Sequence, residues 1–282
     1  MKFTKTVKIL GIIFLTFCVV AAQDDDLSLE EEDENQDEPR LESRVIGGRP
    51  TNLYPHIVSL QRNKQHYCAG SIINPSWIVT SAFCKMGGVE ALAGQKNIRA
   101  RDSRLAQRRK ISLFIGHEDY DSNAEQSADD IALAKVDTPF TFNNIRLVSI
   151  VDLPVETTYP TGNAYVAGWG QYSTRNNRDS PILRHAMVPI HSVATCGILW
   201  SNSNYTLTNV CAGHLSGIGS VCTTDAGGPL MAIRTQRPLS FTLVGTVSWT
   251  QAQCGQSGKP GVYTLVSYYL DWIKTKIQEN SA

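Results

Sequence analysis

Short apolar runs separated by turn-forming residues dominate positions 45–282. HIVSLQ (56–61), WIVTS (77–81), AYVAGWG (164–170), TLVGTVSW (242–249) and GVYTLV (261–266) are rich in valine, isoleucine and aromatic residues, the side chains that suit a pleated surface. Strand-length runs with polar breaks over most of the chain predict an all-β barrel or sandwich. A helical period is clear at the C-terminus. There Tyr269, Ile273 and Ile277 recur at i, i+4 and i+8 beside Trp272, with Ser267 placed to cap. That stripe is expected to pack against the β body.

The first 44 residues follow neither pattern. Residues 1–22 place three lysines before an apolar run that ends in small residues. This is the layout of a secretory leader cleaved near Ala22, and its apolar run is too short for a membrane anchor. No later segment is long and apolar enough to span a bilayer. Residues 23–44 carry eleven acidic side chains against Arg40 and Arg44, a composition that repels itself and buries little. The chain as a whole balances 26 basic and 26 acidic residues. Three of the basic residues fall in the leader, and two basic and eleven acidic ones in the acidic stretch, so 45–282 carries a formal charge of +6. The acidic stretch either masks that basic body until it is removed or serves as a solubilising spacer. The expected organisation is a signal peptide (1–22), an acidic propeptide (23–44) and one domain (45–282).

Of seven cysteines, Cys18 lies in the leader. The other six, Cys68, Cys84, Cys196, Cys211, Cys222 and Cys254, form an even set that suits an oxidising compartment and allows fifteen pairings. None has zinc-site spacing. The chain has no phosphate-binding loop motif and no internal repeat, and nothing in it marks a nucleic-acid partner.

Several segments, in order, resemble a secreted chymotrypsin/trypsin-type serine protease from residue 45 onward. RVIGG (44–48) is similar to a zymogen activation site, SWIVTSAFC (76–84) to the histidine segment, DDIALAKV (129–136) to the aspartate segment, and CTTDAGGP (222–229) to the nucleophile segment. SWTQAQC (248–254) and GKPGVY (258–263) resemble the walls of the specificity pocket. The resemblance implies two perpendicular six-stranded antiparallel β-barrels with a C-terminal helix. It also implies the disulfides Cys68–Cys84, Cys196–Cys211 and Cys222–Cys254.

The chemistry of that family needs a hydroxyl nucleophile, an imidazole to take its proton and a carboxylate to orient the imidazole. Where the pattern TAAHC has histidine this chain has Phe83, and where GDSGGP has serine it has Ala226; Asp130 keeps its type. The residues therefore predict a pseudoenzyme without a covalent step. Asp130, having lost its imidazole, is expected to be held by backbone N–H groups or by Ser248. Thr224 stands at an oxyanion-hole position that is glycine in the pattern, which predicts a distorted or capped hole. Ser220 stands where trypsin-like members carry an aspartate, Thr250 replaces the glycine of SWG, and Gly261 keeps the opposite wall free, so a narrowed, uncharged slot is expected. His66 reads as a hydrogen-bonded structural histidine.

The activation elements persist. The resemblance implies cleavage after Arg44 by a trypsin-like protease and burial of the new Val45 N-terminus against Asp225, either as a working switch or as an inherited pattern. Lys96, Arg99, Arg101, Arg104, Arg108, Arg109 and Lys110 crowd one segment, similar in place to anion-binding exosites of clotting proteases. It is read as a site for sulfated glycans or acidic protein segments, or else as a solvated basic loop. Gln95 and Leu105 stand near where carboxylate ligands to calcium would be, so no metal is expected, and no cofactor. Asn204 heads the usable glycosylation sequon, Asn74 being followed by proline.

The leading functional reading is a secreted, non-catalytic homologue acting by binding, as decoy, cofactor or inhibitor in a proteolytic or immune cascade. Its partner is then a cascade protease, that protease's substrate or an inhibitor. The alternative is an anion- or glycan-binding antimicrobial effector working through the 96–110 segment. A hydrolase with a non-standard site is disfavoured, because both reacting positions are apolar.

Overall fold

The computed structural model describes residues 48–124, 126–142, 147–171, 178–201, 203–236 and 239–281. Strand β1 (Arg49–Pro50) is followed by β2 (Ile57–Arg62), β3 (Gln65–Asn74), β4 (Trp77–Thr80), β5 (Val89–Ala93), β6 (Gln107–Gly116) and β7 (Ala132–Val136). Strands β2 to β7 close into a six-stranded barrel in the order β2-β3-β4-β7-β6-β5. Between β2 and β3 the chain reverses on Asn63 and Lys64 at φ 52° and 62°, the left-handed pair of a tight hairpin turn that matches strand twist.

The C-terminal half supplies β8 (Asn163–Gly168), β9 (Arg184–Pro189), β10 (Asn209–Ala212), β11 (Pro229–Gln236), β12 (Leu239–Trp249) and β13 (Gly261–Leu265). They form one antiparallel sheet in the order β1-β9-β8-β11-β12-β13-β10. Its seventh strand, β1, pairs Arg49 with His185. The other six curl back on themselves, because Ile190, next to the end of β9, bridges Ala212 of β10. The second barrel is thus joined at one seam by an isolated bridge rather than by a full ladder.

The period-two pattern sorts strand side chains between separate apolar clusters. Along β7, Ala134 and Val136 fill the first barrel, while Leu133 faces the other way and joins Trp77, Trp169, Met231 and Leu243. Val166, Val188, Leu230 and Tyr263 fill the second barrel.

The C-terminal helix, α2 (Leu270–Glu279), begins later than the sequence suggests. Ser267 lies in a 3₁₀ turn (Val266–Tyr269) and does not cap; its hydroxyl donates to the Thr158 carbonyl (3.3 Å). Tyr269 and Ile273 are buried against the body, and Trp272 Nε1 donates to Glu118 (2.8 Å). A further helix, α1 (Val193–Leu199), is N-capped by Ser192, whose Oγ accepts from Thr195 N (3.1 Å). The three disulfides are Cys68–Cys84, Cys196–Cys211 and Cys222–Cys254, as the resemblance implies. Residues 1–47, with Arg44 and Val45 among them, lie outside the described residues.

Candidate functional site

Three connections bring Phe83, Asp130 and Ala226 to the seam between the two β units. Phe83 sits on a 3₁₀ turn (Ala82–Cys84) directly after β4, pinned by the Cys68–Cys84 disulfide. Asp130 precedes β7. The chain turns at Asp129, whose φ of 56° is unusual for a residue with a Cβ. Tyr269 Oη donates to the Asp129 carboxylate (2.6 Å) and holds this turn from the C-terminal segment. Ala226 follows a 3₁₀ turn (Thr223–Asp225) that leads into β11. Its carbonyl accepts from Ala69 N of β3 (2.8 Å), tying the turn to the first barrel.

Asp130 is buried, 3% exposed, and amply partnered. Its Oδ1 accepts from Ser81 Oγ (2.6 Å) and from Phe83 N (3.0 Å), and its Oδ2 from Ser248 Oγ (2.6 Å). Burial pushes the carboxyl above its ordinary range, and the bonds from Ser248, Ser81 and the turn backbone oppose that shift. The expected rescue by Ser248 and backbone N–H groups is therefore present. Ser81 is a partner that the sequence did not reveal; its one visible signal is a serine where the TAAHC pattern has alanine. Phe83, by contrast, is 57% exposed. Ala226 is buried.

The oxyanion-hole segment is engaged within itself. Ala226 N donates to the Thr223 carbonyl (3.2 Å), inside the 3₁₀ turn. Thr224 is not among the residues with positive φ. Its hydroxyl donates to Asp179 (2.8 Å), and its carbonyl accepts from His66 Nε2 (3.0 Å). With Nε2 donating, Nδ1 of His66 accepts from Ser59 Oγ (2.8 Å). Burial lowers this imidazole to about 4, so it is neutral and structural.

Asp225 is buried beneath the same turn. Gly170 N (2.8 Å) and Cys222 N (3.1 Å) donate to its two oxygens. A Cβ at Gly168 or Gly170 would overlap the carboxylate, so both glycines are needed for its seat. Burial raises it to about 6 despite those two bonds, and Asp179 adds repulsion.

A cavity of about 340 Å³ opens at the seam, lined by Phe83, Asp130, Ala226, Ser248, Trp249 and Thr250 among others. Ser220 and Gly261 are buried and do not line it. Ser220 Oγ donates to the Val221 carbonyl (3.2 Å). A Cβ on Gly261 would lie 2.6 Å from Val221 Cγ2, so the space beside this glycine is filled, not free.

The basic segment divides. Lys96, Arg99, Arg101, Arg104 and Lys110 are exposed, with Arg99 reaching the Asp179 carbonyl (3.4 Å). Arg108 and Arg109, expected in a loop with the others, belong to β6 and turn onto the protein. Arg108 grips Asp102 through Nε (2.8 Å) and Nη2 (3.0 Å) and contacts Glu90 (3.3 Å). Arg109 donates to Gln107 (2.9 Å) and the Pro139 carbonyl (3.3 Å) and lies over Phe140. At the calcium-loop position, Gln95 Nε2 donates to the carbonyls of Asn97 (3.0 Å), Ala100 (3.5 Å) and Arg101 (3.1 Å), while its Oε1 accepts from Ser103 N (3.0 Å). An amide thus occupies the centre of that loop. Asn204 is exposed between α1 and β10.

The trypsin family model matches residues 45–273. Coagulation factor IX of Cavia porcellus is 33% identical over 237 residues, which cover 81% of this chain and 80% of that one.

Proposed function

This chain belongs to the trypsin family of serine proteases, and we propose that it serves there by binding and not by catalysis. One observation carries the reading. Asp130, the residue that in this chemistry orients an imidazole, is instead saturated by Ser81, Ser248 and the Phe83 N–H. An exposed hydrocarbon ring and a buried methyl stand at the other two reacting positions. Neither can transfer a proton or attack a carbonyl. The internal bond from Ala226 N to Thr223 also removes a donor from the hole that would stabilise an oxyanion.

The protein is secreted and acts outside the cell, as decoy, cofactor or inhibitor within a proteolytic or immune cascade. The leader-like residues 1–22, the three disulfides and the likeness to a clotting factor support this reading. Asn204 carries a glycan on its exposed loop. No metal or cofactor takes part. A trypsin-like protease cleaves after Arg44, and the buried Asp225 carboxylate is the seat for the released Val45 amine. Fluorophosphonate labelling of purified protein, with a panel of peptide substrates, tests the non-catalytic reading. No labelled residue and no turnover are expected, and either one in a sample free of other proteases overturns it.

A second reading has its own support in the exposed Lys96, Arg99, Arg101, Arg104 and Lys110, which suit a sulfated glycan or an acidic protein segment. Retention on heparin beyond physiological ionic strength is expected, and elution below it counts against the site. Arg108→Gln acts on folding, since this side chain is spent on Asp102 and Glu90.

A further inference from the structure

Of the ten tyrosines in the chain, Tyr120 alone has a carboxylate on each side. In IGHEDYDSNAE (115–125), Glu118, Asp119 and Asp121 flank it closely and Glu125 follows, while no lysine or arginine falls within five positions of it. An enzyme that holds a polyanionic sulfonyl nucleotide lines its cleft with cations, and such a cleft favours a tyrosine set among carboxylates. The segment forms a surface turn. Tyr120 N donates to the His117 carbonyl (3.2 Å), and Asp121 Oδ1 accepts from Asn123 N (2.9 Å). Glu118 is committed to Trp272 and Lys276 (2.8 Å each), which leaves the Asp119 carboxylate, 80% exposed, immediately before the tyrosine. The Tyr120 side chain is half-buried, and its hydroxyl has no hydrogen-bond partner among the described residues. Tyr54, Tyr67, Tyr159, Tyr205 and Tyr269, by contrast, each commit theirs to a protein group.

We propose that Tyr120 is a sulfation site, converted to a tyrosine O-sulfate as the chain passes through the secretory pathway. The proposal rests on the secreted reading and adds a modification to it. The phenol oxygen attacks the sulfur of a mixed sulfuric–phosphoric anhydride, a phosphoadenylyl sulfate. The S–O bond to tyrosine forms, the S–O bond to the nucleotide phosphate breaks, and the phenolic proton passes to a base of the transferase. Burial, with Asp130 and Asp121 nearby, pushes this phenol up to about 12, so the hydroxyl enters the reaction protonated. The product has a seat. Tyr120 borders both the cavity that holds Asp130 and an adjoining one of about 360 Å³. Among the described residues lining the second, Lys85 alone carries a formal charge, and it makes no ion pair among them. The sulfate turns away from Asp130 and towards Lys85, because like charges repel and an ammonium donates charge-assisted hydrogen bonds to sulfate oxygens.

Mass spectrometry of the full-length protein secreted by eukaryotic cells tests this. Trypsin releases residues 111–135 as one peptide. That peptide should carry one SO₃ group that resists alkaline phosphatase. The group should be absent from Tyr120→Phe and from cells grown in chlorate, which blocks synthesis of the donor. Asp119→Asn should lower occupancy several-fold. An unmodified peptide in the secreted protein overturns the proposal, and so does an SO₃ group that persists in Tyr120→Phe. The sulfated protein should also denature at a higher midpoint than protein from chlorate-treated cells, and Lys85→Gln should cancel that difference. No difference, or one that survives Lys85→Gln, overturns the seat. A chain that never reaches the medium refutes the secreted reading instead; with residues 1–22 exchanged for a working leader, the same peptide still decides the sulfation.

Discussion

Ser81 and His66 show how much rests on single hydrogen bonds at this seam. Ser81 Oγ caps its own 3₁₀ turn, accepting from Phe83 N (3.1 Å), and at the same time donates to the buried Asp130 (2.6 Å). Ser81→Ala removes a donor from a buried carboxylate, and chemical denaturation should register a loss of about 1–3 kcal/mol. An unchanged midpoint would mean that Ser248 and the backbone suffice. His66 offers a pH readout. Burial depresses it from 6.5 to about 4 in the folded protein, so the unfolded chain binds more protons in that interval. Its contribution is full above pH 6.5 and is lost as the pH falls towards 4, a change on the order of 3 kcal/mol. Asp130 and Asp225 are shifted upwards and act in the opposite sense, as His56, lowered to about 3 by burial, acts in the same one. The informative quantity is therefore the difference between wild type and His66→Gln. The variant should lose less stability between pH 7 and 4, and parallel melting curves would remove His66 from the acid response.

At the scale of elements, α2 closes the cluster between the two β units through one face. Ile273 is 1% exposed in the cluster that also holds Trp77 and Leu133. Ile273→Ala should cost about 2–5 kcal/mol, read as a lower denaturation midpoint with an unchanged slope. This stripe was legible in the sequence, as were β2, β4, β8, β12 and β13, because each concentrates apolar residues at the period its geometry buries. Other elements left no such mark. Helix α1 spans seven residues with Cys196 as its buried member, too few to display a period. Strand β6 exposes or half-exposes every residue, so its arginines read as a loop. Helix α2 starts later than its sequence suggests because Ser267 has a carbonyl partner in Thr158 rather than a helix end to cap. The site was legible by residue type, at Phe83, Asp130 and Ala226, and less so by contact. Ser81 and Asp130 are 49 positions apart in sequence, and no local pattern announces a pairing across two strands.

At the scale of the whole molecule, the buried carboxylate of Asp225 carries a pH-dependent cost. Asp225 is buried, accepts from two backbone N–H groups and is raised to about 6. Its burial thus favours the folded state fully below the unfolded value near 3.8, and this advantage disappears as the pH rises through 6. At neutral pH the intact chain bears that cost, on the order of 3 kcal/mol by the same linkage. A cation delivered into the seat would reverse the sign, because an ion pair holds the carboxylate ionised. Cleavage after Arg44 creates such a cation at Val45. Asp225→Asn should therefore stabilise the intact chain at pH 7.5, with the gain vanishing near pH 4, and destabilise the cleaved chain at the same pH. Arg44→Gln, resistant to trypsin, should stay in the first regime after protease treatment. If Asp225→Asn changes intact and cleaved chains in the same direction, the new N-terminus does not reach this carboxylate, and the activation elements have no conformational role. If the sign inverts, the fold retains a proteolytic switch coupled to the turn that carries Ala226, and partner binding before and after cleavage becomes the quantity that the switch controls.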